Sequence, residues 1–307
     1  ADTFGPIPYV NYGSSSLYDA LDLVYNKFFE ELDNAIEVLS NYVNGNVDAK
    51  LMSDYDCVYG GDVEKWVKFA NTLRLRLAIR VSYANPTLAE AQAKKSMENM
   101  FGFIESKAER AELSHNSLEY HHPLHEIAYN FNSGDCRPGA TIVAYLNGLN
   151  DSRISSYFTA ADDGEYHGVR IGITTSNMSN YQGNKISNLN INRASTPVVW
   201  MTAAESFFLR AEGALRGWAM GGDAKSLYEE AIALSFEQYG LPATDALSYA
   251  ANASNTPQAY TDPVDGTYSA GAVSNLTVAW QEGDEYAEKN LERIITQKWI
   301  AMFPSTV

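Results

Sequence analysis

Leu17, Leu21, Val24, Phe28, Leu32, Ile36 and Leu39 recur at steps of four, three, four, four, four and three residues. An α-helix brings such positions onto one face, so residues Leu17–Ser40 are expected to form an amphipathic helix about six turns long. Asp19, Asp22, Glu30, Glu31, Asp33 and Glu37 lie mostly off that face, and Ser14 to Ser16 offer an N-cap. After a polar loop at 41–61, Asp62 is placed to cap a second helix, Val63–Tyr83. Its apolar stripe is Val63, Trp66, Ala70, Leu73, Leu77 and Val81, and Lys65, Lys68, Arg74, Arg76 and Arg80 make it basic. Antiparallel packing on the acidic first helix would therefore pair opposite charges. A third helix is expected at Leu88–Phe101, stopped by Gly102.

From Phe103 to Thr196 the helical period fades, except for a short helix expected at Thr141–Leu149. Turn signals stand at Ser133-Gly134-Asp135, Asp162-Asp163-Gly164 and Gln182-Gly183-Asn184. Helices resume over Pro197–Arg216, with Pro197 in the first turn, and from Asp223, as a cap, to about Tyr239. Leu241–Glu285 reads as irregular, and a last helix spans Tyr286–Met302. The expected fold is mainly α: a tetratricopeptide-like helical-repeat scaffold with long irregular loop regions. Helical hairpins occupy 17–83 and 197–239, and the loop-rich regions are 103–196 and 241–285. A length of 307 residues fits one or two domains. The reading adopted is a single domain over 1–307.

Composition narrows the function. The chain is 45% hydrophobic and 20% charged, enough to bury a core. Its net charge of −16 would repel a phosphate backbone, so no nucleic-acid partner is expected. No apolar run reaches the length of a membrane span. Two cysteines, Cys57 and Cys136, exclude a disulfide framework and a four-cysteine zinc site.

Few residue patterns point to catalysis. His121 and His125 are four apart, but Pro123 between them opposes a regular helix, and His122 stands where a zincin has Glu. Asp162, Asp163 and Glu165, close to His167, could offer hard oxygen ligands to a calcium ion, without EF-hand spacing; an acidic turn is the simpler reading. Glu205 and Glu212 read as buried partners of Arg76, Arg80 or Arg210. No nucleophile elbow, Walker loop or G-x-G-x-x-G is present. No catalytic residue, metal or cofactor is assigned.

The better lead is aromatic. Tyr157, Tyr166, Tyr181, Tyr260, Tyr268 and Trp280 lie in segments without helical period, and Asn177 to Asn192 is crowded with amides. Flat rings under C–H faces, with amides and carboxylates reaching hydroxyls, suit a sugar ligand. The candidate ligand-binding residues are Tyr166, Tyr181, Asn184, Asn188, Tyr260, Tyr268 and Trp280.

Several segments carry a likeness to a known family. Phe4-Gly5-Pro6-Ile7-Pro8-Tyr9 is similar to an early F-G-x-I-P-Y element, and Leu32-Asp33-Asn34-Ala35-Ile36 to a helix with L-D-x-A-I. Asp56 through Trp66 and on to Arg76 follows D-x-x-Y-x-G-D-x-x-K-W-x-K-F-A-N-x-L-R-L-R. Asn150-Asp151-Ser152-Arg153-Ile154 is similar to N-D-P-R-L, with Ser152 in place of Pro. Ala204-Glu205 through Ala211-Glu212 follows A-E-x-x-F-L-x-A-E, and Ile294 through Ala301 follows I-x-x-Q-K-W-I-A. Together they resemble the SusD/RagB family of outer-membrane nutrient-binding lipoproteins, more narrowly its starch-binding-associated SusD-like branch.

The resemblance implies a non-enzymatic protein on the cell outer membrane, surface-exposed and lipid-anchored in its full-length parent. It implies four tetratricopeptide-like helix pairs, an oligosaccharide (sometimes peptide) ligand, and a SusC-like TonB-dependent transporter as partner. The lipidated Cys, an opening portion and a closing N-G-x-E-A-W-like segment have no counterpart, so a fragment truncated at both ends is expected. Two rivals stay open: a glycoside hydrolase using Asp162 or Glu165 with a second carboxylate, and a peptide-binding helical scaffold.

Overall fold

Helix α1 spans Leu21–Gly45, α2 Val63–Arg80 and α3 Pro86–Glu98 in the computed structural model, which describes residues 1–14, 16–46, 48, 50–113, 122–131 and 136–304. The chain divides into two compact units. The first holds Ala1–Glu105 and Leu209–Ala224, the second Ser106–Phe208 and Lys225–Val307. Among the described residues the protein is mainly helical, with four short strands.

In the first unit α1 packs on α2, and α2 on α3. Tyr25 and Phe29, early in α1, bury against Leu77, Val81 and Ala89, while Ile36, further on, meets Val67 and Ala70. Early residues of one helix meet late residues of the other, so the two run antiparallel. The expected charge pairing is present. Asp33 of α1 accepts from Arg74 of α2 at 2.5 Å and from Lys95 of α3 at 2.7 Å. One carboxylate thus links three helices.

Helix α1 starts four residues later than the period implied. Asp19 turns its carboxylate to the backbone N–H groups of Tyr9 and Val10, both at 2.8 Å, and its backbone bridges Ile7. That local bonding competes with the helix and leaves Leu17 exposed. The cap position falls on Ala20, not on the serines at 14 and 16.

The segment before α2 is organised by Asp56. Its carboxylate accepts from the backbone N–H groups of Val58, Tyr59 and Gly61 and from the Trp66 indole at 2.8 Å. Gly61 has φ +85°, and a Cβ there would stand 2.8 Å from the Leu51 carbonyl oxygen. Only glycine fits. Asp62 caps α2 by accepting from the Lys65 N–H. Contrary to a one-sided stripe, α2 also buries polar residues: Asn71 donates to the carbonyls of Ser96 and Gly102, and Arg74 is 4% exposed. Helix α3 begins at Pro86 under an Asn85 cap and ends short of Phe101, because Asn99 accepts from the Phe101 N–H and turns the chain.

In the second unit the short expected helix is α4, Ala140–Gly148. The helix expected from Pro197 begins instead at Ala203: α5 is Ala203–Leu215, continuing across the boundary at 208/209 into the first unit. Val198–Met201 forms a strand that pairs antiparallel with Ala111–Leu113. Its alternating burial and β-branched residues fit a strand, and Thr202 then caps α5 by accepting from the Glu205 N–H. Helix α6 is Ala224–Gln238 and α8 is Ala287–Ala301, both near the expected bounds. Between them α7, Ala243–Ala250, occupies part of the region expected to be irregular.

Arg153, from the Asn-Asp-Ser-Arg turn after α4, is wholly buried at the centre of this unit. It meets both Asp151 oxygens, donates to Ser235 Oγ of α6 at 2.8 Å and to Gln297 Oε1 of α8 at 2.9 Å, and lies over the Phe236 and Tyr249 rings. Among the described residues no helix is long and apolar enough to cross a membrane.

Candidate functional site

Two loops of the second unit meet beside α4. The first, 167–186, is held by a parallel bridge between Gly139 and Val169: Ala140 N–H donates to the Val169 carbonyl and Val169 N–H to that of Pro138. A Cβ on Gly168 would stand 2.7 Å from the Gly139 carbonyl oxygen, so the two backbones touch only because the residue is glycine. The second loop, 260–270, is closed by the paired backbones of Tyr260 and Ala270.

Asp262 fastens the loops together. It is 6% exposed and accepts from Tyr181 Oη and Tyr260 Oη, both at 2.9 Å, and from the backbone N–H groups of Val264 and Asp265. Burial pushes its pKa up, but the two N–H groups and the two phenols outweigh that and hold it below the ordinary carboxylate value. Burial first, and then the Asp262 carboxylate, push the Tyr181 and Tyr260 phenols up, so both stay protonated donors. Tyr260 Oη also lies 2.9 Å from the Gly168 carbonyl. Tyr268 Oη is 3.2 Å from Thr174 Oγ1, and Arg170 donates to the Tyr268 carbonyl at 3.4 Å.

A groove of about 350 Å3 opens beside this cluster. Val169, Ile171, Ile173 and Met178 give it an apolar wall, and Arg137, Arg170, Tyr181 and Gln182 give it polar edges. An apolar lining with a few fixed polar groups is the general make-up of a small-ligand site.

Of the seven predicted ligand residues, Tyr181, Tyr260 and Tyr268 come together here. Tyr181 is 3% exposed, so its ring is a pillar and its hydroxyl is spent on Asp262. Tyr260 and Tyr268 are half-buried. The other four lie elsewhere in local packing. Asn184 is exposed and its carbonyl anchors the Asp162 N–H. Asn188 sits in a two-residue strand and donates to the Ala128 carbonyl. The Tyr166 carbonyl accepts from Asn147, and Trp280 packs its ring 5.6 Å from that of Tyr228. Asp262, Arg170, Thr174 and the apolar wall were not anticipated. Asp262-Pro263-Val264-Asp265-Gly266 is a turn signal that marks Asp262 as a backbone-bonding residue.

The other polar clusters are structural in this fold. Asp163 accepts from the Glu165 N–H and pairs with His167 Nε2 at 2.8 Å in an exposed turn. Glu212 pairs with Arg216, one turn on, and Arg210 with Glu105. His121 and the Ser133-Gly134-Asp135 signal lie outside the described residues. His125 stacks on Tyr129, and Pro123–His125 is a single turn leading into a wider one at Glu126–Asn130. Among the described residues no three His, Cys, Asp or Glu side chains gather as a metal site. Cys57 and Cys136 are not joined in a disulfide.

Comparison with proteins of known structure gives strong matches. A chitin-binding SusD homolog from Flavobacterium johnsoniae is 39% identical with a TM-score of 0.91, over 99% of this chain and 62% of that one. A SusD homolog from Bacteroides uniformis is 41% identical with a TM-score of 0.87, over 98% of this chain and 62% of that one. One from Bacteroides thetaiotaomicron is 40% identical at 0.84, over 98% and 61%. The chain therefore spans a little over three-fifths of these relatives. A comparison with curated proteins gave no match. A family model described as SusD-like, Susd and RagB outer membrane lipoprotein, matches residues 1–307, and the chain belongs to that SusD-like family.

Proposed function

We propose that this chain captures an oligosaccharide without chemical turnover, in the groove beside Tyr260, Tyr268 and Asp262. The observation that carries the reading is the loop pair itself. A buried carboxylate fixes two phenols beside a groove of about 350 Å3 that has an apolar wall and polar edges. Half-buried Tyr260 and Tyr268 stand beside the groove as candidate ring surface, and Gln182 and Arg170 on its lining are the candidate hydroxyl-directed partners. The chitin-binding relative at 39% identity supports a glycan as the ligand class.

In the full-length protein, capture would occur at the bacterial outer membrane, on a lipid-anchored, surface-exposed molecule. The captured glycan would pass to a SusC-like TonB-dependent transporter. The family description as outer membrane lipoproteins supports the location.

A glycan array followed by calorimetry on the best ligand tests capture, and mass spectrometry of the incubated ligand tests turnover. Binding with intact ligand, weakened at least tenfold by Tyr268→Ala, supports the reading. Release of shorter sugars at enzymatic rates would favour a hydrolase. Binding of peptides in place of sugars would favour a peptide scaffold.

A further inference from the structure

Arg170 is the only Lys or Arg between Arg153 and Lys185, in a chain with 38 acidic and 22 basic residues. It is exposed at the edge of the groove. Its guanidinium makes a long hydrogen bond to the Tyr268 carbonyl, and no carboxylate among the described residues pairs with it. The other surface arginines behave differently: Arg80 pairs with Asp2 and Arg193 with Glu126. Arg137 lines the same groove. Two guanidinium groups thus border one opening of a strongly acidic protein, next to the apolar wall of Val169, Ile173 and Met178.

Asp262, the carboxylate of this cluster, is already bonded to two phenols and two backbone N–H groups, so the exposed Arg170 guanidinium at the groove edge has a selective consequence of its own. A neutral sugar gains only hydroxyl contacts from that guanidinium. A carboxylate gains a charge-assisted, two-point bond whose geometry the planar guanidinium matches. The Tyr268 carbonyl, by accepting from Arg170, helps to aim it.

We propose that the groove selects oligosaccharides bearing a carboxylate, that is, chains containing uronic-acid-type residues, with Arg170 as the specificity-determining contact. The inference rests on the glycan-capture reading of the same groove.

The test uses the intact chain and calorimetry against oligogalacturonate, oligoguluronate and hyaluronan fragments, each beside its carboxyl methyl ester. Neutral chito-oligosaccharide and a sulfated neutral oligosaccharide complete the panel. At least one acid is expected to bind tenfold or more tighter than its ester. Arg170→Gln should erase that preference, Arg170→Lys should keep part of it, and raising salt should shrink it. Equal melting temperatures for Arg170→Gln and the unsubstituted chain show that folding is not the cause. Equal binding of acid and ester, preference for the sulfated or neutral sugar, or an acid preference that survives Arg170→Gln overturns the inference. If neutral sugars bind through Tyr268 while no acid is preferred, capture stands and selectivity alone falls. If no sugar binds, both fall.

Discussion

Arg153 and Asp151 form an ion pair with no solvent exposure on either side chain, Nη2 lying 2.6 Å from Oδ2. Burial alone would pull the arginine's pKa down, and the Asp151 charge reverses that. The remaining donors of Arg153 reach Ser235 and Gln297, so the pair locks α6 and α8 to the turn after α4. Removing one charge leaves the other buried without its counter-charge. Asp151→Asn and Arg153→Met should each cost about 3–5 kcal/mol, read as a shift in the urea unfolding midpoint. The joint change Asp151→Leu with Arg153→Met should cost less than either alone.

Asn71 carries a different kind of burial. Its amide serves the carbonyls of Ser96 and Gly102, which close the end of α3. Asn71→Ala leaves one buried and one half-buried acceptor without this donor, and a loss of about 1–3 kcal/mol is expected. Hydrogen exchange should show the excess opening at residues 96–104 before the rest of the first unit.

Acid should loosen the Asp262 loop. Its folded-state pKa is depressed, so the stabilisation is present above the unfolded carboxylate value near pH 4 and is lost as pH falls further. Asp56 has the same sign at the start of α2, where its bonds to Trp66 and the backbone outweigh burial. Between about pH 4 and pH 2, exchange should speed up at 260–270 and 56–62. Asp262→Asn should remove the acid step at 260–270 alone.

Alkali should meet resistant tyrosines. The Tyr9 phenol, bonded to Glu31, and the Tyr25 phenol, buried beside Asp2, are pushed up to about 12. Burial also raises Tyr157, Tyr181, Tyr228, Tyr249 and Tyr260. The stabilisation these raised values give is whole below about pH 10 and is lost progressively as pH rises from there through the folded-state values, about 12 for Tyr9 and Tyr25. An ultraviolet difference titration should therefore show a first wave near pH 10 that ionises only part of the 20 tyrosines. The rest should ionise together with unfolding. A single wave accounting for all of them would contradict the burial described.

Gly168→Ala places a Cβ 2.7 Å from the Gly139 carbonyl oxygen. The loop must lift from α4, so glycan affinity should fall at least tenfold with a modest melting-temperature loss. The opposite pattern, affinity kept and stability lost, would separate the groove from this backbone contact.

Periodicity made α1, α2, α6 and α8 legible, because burial on one face repeats in the sequence. It misled at Val198–Met201, where Val-Val-Trp-Met satisfies a helical step as well as a strand's alternation. Only the partner strand at Ala111–Leu113 decides between them. It also missed α7, whose eight residues are too few for a periodic signal. At the candidate site, residue type singled out Tyr181, Tyr260 and Tyr268. Their meeting depends on Asp262, 81 residues from Tyr181, and no local pattern encodes that distance.

Asn71, Arg74, Asp151, Arg153 and Gln297 all belong to the motifs that carry the family likeness and are buried, and Asp56 of the same motifs ties the half-buried segment before α2. The groove beside Asp262 is instead hung on α4 by a handful of backbone contacts. A graft of 168–182 together with 260–270 between relatives should then carry ligand preference with it, much as a tool head is changed on an unaltered handle.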